Sequence, residues 1–146
     1  MRSLLFWLVC AALSSAACAS PTVWLNLGAL SVHSAPGYND VNPGFGLEVR
    51  TSDTWAFTAG ELKNSQRRRS RYLAAEFTPL QAGPVRLGLV AGAIDGYRLR
   101  DGKPLPLLAP MAQITWGHVA LAALFIPQVQ HYTDSSALAL ILKVGF

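Results

Sequence analysis

From Ser136 to Phe146 the chain alternates without a break. Leu138, Leu140, Leu142, Val144 and Phe146 are large and apolar, whereas Ala137, Ala139, Ile141, Lys143 and Gly145 are mostly small or polar. A period of two puts the first set on one face of a strand and the second set on the other. A soluble sandwich can use such a strand. So can a membrane barrel, with the apolar face toward lipid and the small or polar face toward the lumen. The rest of the chain separates the two.

Arg2 precedes an apolar run over residues 4–13, and small residues follow to Ala17-Cys18-Ala19. A charged start, a short apolar stretch and an A-x-A site form the pattern of a secretory signal peptide. The expected division is therefore a signal over residues 1–19 and one domain over 20–146. Cleavage removes Cys10 and Cys18, so an exported chain is left without a disulfide framework. Lipidation at Cys18 is the competing reading, but Ser15 fits a lipobox poorly at the third position before the cysteine.

Hydrophobic residues make up 51% of the chain, too many for disorder. No run of about twenty uncharged apolar residues is present to form a membrane helix. In hydrocarbon every backbone polar group must be paired, so a chain that spans without helices has to close into a barrel.

Eight stretches of strand length can be marked out, at 22–33, 44–52, 54–62, 70–78, 84–94, 105–115, 118–126 and 136–146. The connections between them alternate in length. Those around Asp53, at 79–83 and at Trp116-Gly117 are short; those at 34–43, 63–69, 95–104 and 127–135 are longer. Short periplasmic turns opposite longer extracellular loops are the pattern of an eight-stranded antiparallel transmembrane β-barrel of the outer-membrane type, with both termini periplasmic. Trp24, Trp55, Trp116 and Phe146 fall near the short-turn ends, where interfacial aromatics collect. The first strand fits less well. Placing Leu25, Leu27, Ala29, Ser31 and His33 in the lumen sends Asn26 to the lipid side, so a bulge is expected there. Glu48, Arg50, Glu76, Arg86 and Lys143 fall on lumen positions, where charges must pair with one another.

The net charge of +4 comes largely from Arg67, Arg68, Arg69 and Arg71. On an exported chain with no second basic patch this argues against a nucleic-acid partner. Guanidinium groups bind phosphate in bidentate fashion, so the run suits contacts to lipopolysaccharide phosphates, although a solvated loop has the same composition.

Pro104-Leu-Pro-Leu-Leu-Ala-Pro110, followed by Gly117, Val119 and Phe125-Ile-Pro127, resembles the C-terminal half of the lipid A palmitoyltransferases (the PagP-type enzymes). Thr78-Pro-Leu80 and the run from Arg86 to Gly92 resemble the centre of that family, and Lys63-Asn-Ser65 and His33 resemble it more faintly. The resemblance implies an outer-membrane barrel that holds an acyl chain, with phospholipid and lipopolysaccharide as partners. It implies a monomer that needs no cofactor and no metal. It also implies lateral lipid access where Pro110 and Pro127 interrupt the wall, and a rim site with His33 as base, Ser65 as catalytic hydroxyl and Asn64 orienting. Asn64 stands where the family pattern has Asp. An amide can still hydrogen-bond but cannot stabilise an imidazolium by charge. The alternative is a non-catalytic barrel that binds lipid or is structural, with His33 at a loop base and Asn64-Ser65 as turn residues.

Overall fold

The computed structural model describes residues 22–129 and 133–146, so the signal segment and His131 lie outside the described residues. Ten strands run in chain order: β1 (Thr22–Asn26), β2 (Ala29–His33), β3 (Val41–Asn42), β4 (Gly44–Arg50), β5 (Trp55–Lys63), β6 (Arg69–Ala82), β7 (Val85–Ile94), β8 (Leu105–Trp116), β9 (Val119–Ile126) and β10 (Ala137–Gly145). Interruptions divide two of the barrel's staves, β1 with β2 and β3 with β4. The closed antiparallel barrel therefore has eight. Closure is made where β10 pairs with both halves of the first stave, Trp24 opposite Gly145 and Leu138 opposite Val32.

The expected alternation sorts the side chains. Val32 (70% exposed), Leu47, Phe57, Leu73, Leu89, Leu108 and Leu142 point outward, while Ala56, Ala74, Ala109, Ala120 and Ala122 are buried inward. Eight strands leave a lumen only wide enough for side chains to fill. Small inward residues are what make room for the few large ones. Tyr72 lies over Gly46 and Gly60, and a Cβ at Gly46 would collide with its hydroxyl.

The bulge expected in the first stave is at Leu27-Gly28, where Gly28 adopts φ +65°. The extra residue lets both Asn26 and Ser31 point inward, and Asn26 Nδ2 donates to Thr58 Oγ1 at 2.9 Å. Leu25 and Leu27 are outward instead of lumenal. The same parity carries Trp24 inward, so it is a buried plug residue rather than an interfacial one. Its ring packs on Gly145, which has no side chain to exclude it. Trp55, Trp116 and Phe146 are exposed at the short-turn end as expected. The turn expected over 79–83 is also displaced. β6 continues to Ala82 through a register shift between Phe77 and Leu80, and this shift accommodates Pro79, which has no N–H for the ladder.

Charges close the lower lumen. Lys143 is 1% exposed and donates to Glu48 and, at 2.9 Å, to Glu76; Arg50 lies 3.3 Å from Glu48 and 3.9 Å from Glu76. Arg86 does not join this cluster through a carboxylate. Its guanidinium donates to the Asp53 carbonyl at the turn below.

Candidate lipid cavity and rim site

Above the charged floor one wall of the lumen is apolar, while Asn26, Ser31 and Thr58 line the other. Val90, Ile94, Leu105, Leu107, Leu124, Ile126, Ala139 and Ile141 line a cavity of about 230 Å³ that reaches His33, Tyr38, Asn64, Ser65 and Tyr97 at the long-loop end.

One side of the cavity has an open seam. β8 pairs with β7 along its length, from Ile94 opposite Leu105 to Val85 opposite Ile114, but with β9 only from Met111 opposite Leu124 downward. Prolines explain the difference. Thr115 N–H donates to Pro84 O, so odd-numbered residues of β8 turn their backbone groups toward β7 and even-numbered ones toward β9. Pro106 and Pro110 are even. They remove donors from the β9 side alone, leaving Leu108 the sole N–H in residues 105–110 aimed there. On the other edge His118 O accepts from Gly145 N in β10, so odd positions of that stave face β8. Continued one residue beyond β9, the alternation turns Pro127 toward the same seam.

At the rim, the His33 side chain is 8% exposed, stacks on Tyr38 with ring centroids 4.7 Å apart, and places Nδ1 3.4 Å from Asp40 Oδ1. Asp40 is the carboxylate beside the histidine. It is seven positions along in a Gly- and Pro-containing loop, where no sequence periodicity points to it.

Asn64 is fully buried. Its Oδ1 accepts from the N–H groups of Gln66 (2.9 Å) and Arg68 (3.0 Å), and its Nδ2 donates to Ser70 Oγ (2.9 Å) and Gly96 O (3.3 Å). These bonds form the second long loop and tie it to the third. The Tyr97 phenol is pushed above its ordinary range by burial, with the neighbouring Ser65 hydroxyl a smaller opposing influence. Ser65 O accepts from Asn39 N at 2.8 Å, which brings the first loop alongside. His33, Asn64 and Ser65 thus share one cavity mouth, but among the described residues no hydrogen bond joins His33 to either of the others.

In the basic run, Arg69 pairs with Glu61, and Arg71 with Asp95 at 3.0 Å. Arg67 and Arg68 are exposed and have no carboxylate partner among the described residues. His118 Nδ1 lies 3.1 Å from Gly145 O at the opposite end.

A de novo designed protein known by its solution NMR structure, TMB2.3, is similar to this chain at TM-score 0.53 and 16% identity, covering 86% of this chain and 92% of the designed one. The likeness shows the fold alone. No protein-family model matches the chain, and no curated protein does.

Proposed function

We propose that this chain is an outer-membrane barrel, exported by residues 1–19, that takes a hydrocarbon tail of a membrane lipid into its upper lumen through the β8–β9 seam. The observation that carries this reading is an apolar cavity lined from both sides of the seam that Pro106, Pro110 and Pro127 deprive of donors. Burying a CH₂ group is worth about 0.8 kcal/mol, and the buried ions below give the tail a floor. Phospholipid and lipopolysaccharide are the partners, with Arg67 and Arg68 free to meet their phosphates, whereas Arg69 and Arg71 are already paired with Glu61 and Asp95. Purified from membranes in a non-ionic detergent, the barrel should carry a bound lipid detectable by mass spectrometry. Ala139→Trp, which fills the cavity, should abolish it. A folded wild-type barrel that carries none sinks the reading.

A second reading is acyl transfer from phospholipid to lipid A, supported by His33 and Ser65 lying at the mouth of one cavity with Asp40 beside the histidine. With Nδ1–H directed at Asp40, Nε2 can accept the proton of a hydroxyl as that oxygen attacks the ester carbonyl. It then returns the proton to the departing glycerol oxygen. Expression in cells that lack their own acyltransferase should add one acyl chain to lipid A, and His33→Ala and Ser65→Ala should each remove the added mass. An unchanged lipid A profile with inserted barrel leaves the tail-binding reading alone.

A further inference from the structure

The third long loop carries Arg98 and Arg100 on a short 3₁₀ turn, Arg98–Arg100, both exposed and without a carboxylate partner among the described residues. It is cross-tied to the second loop. Arg98 N donates to the Gln66 side chain at 2.9 Å, the Asn64 side chain reaches Gly96 O, and the Arg68 guanidinium lies beside Gly102. Arg67 and Arg98 line a shared polar cleft with Ser65 and Tyr38, and Asp134 is the acid on that cleft. Two neighbouring arginines are differently placed. Arg69 and Arg71 sit on the outer wall and are neutralised by Glu61 and Asp95.

We propose that the second and third loops form one cradle for the phosphate groups of an outer-leaflet glycolipid, with Arg67, Arg68, Arg98 and Arg100 as its contacts. Four guanidiniums without carboxylate partners among the described residues, on two loops held together by the buried Asn64, match a ligand carrying more than one phosphate; Arg100 reaches only the Pro104 carbonyl, at 3.4 Å. The cleft shares Tyr38, Ser65, Gln66 and Leu99 with the lining of the lipid cavity, so a headgroup held there has its tails at the cavity mouth. The proposal rests on the outer-membrane reading and deepens it. It replaces Arg69 and Arg71 with Arg98 and Arg100 as phosphate contacts.

The test uses the folded full barrel in a non-ionic detergent, titrated calorimetrically with a glucosamine disaccharide bisphosphate that has no acyl chains. This probe does not need the lumen, so its failure leaves tail binding standing, and loss of tail binding leaves the cradle standing. Saturable binding is expected, weakening as salt rises from about 50 to about 500 mM. Arg98→Ala/Arg100→Ala should weaken it about tenfold or more, while Arg69→Ala/Arg71→Ala should leave it within about twofold. Unchanged binding in the first double variant overturns the proposal. So does equal binding of the unphosphorylated disaccharide, or equally tight binding of inorganic phosphate, which would make the cleft a site for free anions. Heat-dependent gel mobility verifies that each variant is folded.

Discussion

Asn64 commits its amide to the fold at both ends, accepting from the N–H groups of Gln66 and Arg68 and donating to Ser70 Oγ and Gly96 O. Asn64→Asp keeps the acceptor but turns a second carboxylate oxygen toward Ser70 Oγ and the Gly96 carbonyl. The expected loss is about 1–3 kcal/mol, read as a lower urea midpoint in detergent. A buried carboxylate facing oxygens has its folded pKa raised, so the deficit should shrink as pH falls and the protonated acid regains a donor. A deficit that grows on acidification would contradict this. Lys143 gives a sharper case, since Lys143→Met leaves Glu48 and Glu76 buried with Arg50 alone. That should cost about 3–5 kcal/mol in the same assay, much of it recovered when Glu76→Gln is added. The lumen charges could be read from alternation because a narrow barrel forces such groups to meet. The work of Asn64 could not, because one of its partners is 32 positions away in another loop.

Among the elements, β8 best shows how local chemistry becomes architecture. Its ladder to β7 is complete and its ladder to β9 stops at Met111, because Pro106 and Pro110 both fall on the parity that faces β9. Pro110→Ala restores an N–H opposite the register position of Phe125. Pairing should extend upward by that pair and stabilise the barrel by about 0.5–1.5 kcal/mol. Hydrogen exchange should find the new amide protected and Leu108 slower to exchange, and bound lipid should fall. If the new amide exchanges freely, the seam is held open by something other than proline. The prolines stand out in the sequence, but their shared direction needs the strand parity, which one bulge anywhere in β8 would have inverted. The first stave shows how readily that happens. One extra residue at Leu27-Gly28 moved Leu25 and Leu27 to the outside and brought Asn26 inside, and Trp24 with it. The alternating pattern announced a bulge without saying which residues it would reassign.

At the scale of the whole molecule, the barrel combines an apolar outer wall with a lumen of small residues closed by ions. This could be read from eight alternating stretches, because no other arrangement lets strands of that pattern satisfy their backbone groups in hydrocarbon. The rim cradle could not, because Arg67 and Arg98 are 31 positions apart in sequence and meet only where β6 pairs with β7. The two faces of the wall should differ sharply in their tolerance of charge. Leu140 and Leu121 lie on the outer face, near the middle of β10 and β9. In lipid vesicles, Leu140→Arg or Leu121→Arg should each cost about 2–4 kcal/mol if the wall meets the bilayer midplane there. Val32→Arg, outward but beside the long-loop rim, should cost about 1 kcal/mol or less because its guanidinium reaches the headgroups. Urea titrations of all three in vesicles give the profile directly. A depth-dependent penalty is the mark of a spanning barrel. A flat profile, with each arginine costing no more than an ordinary surface substitution, would mean that the apolar wall meets something other than a bilayer.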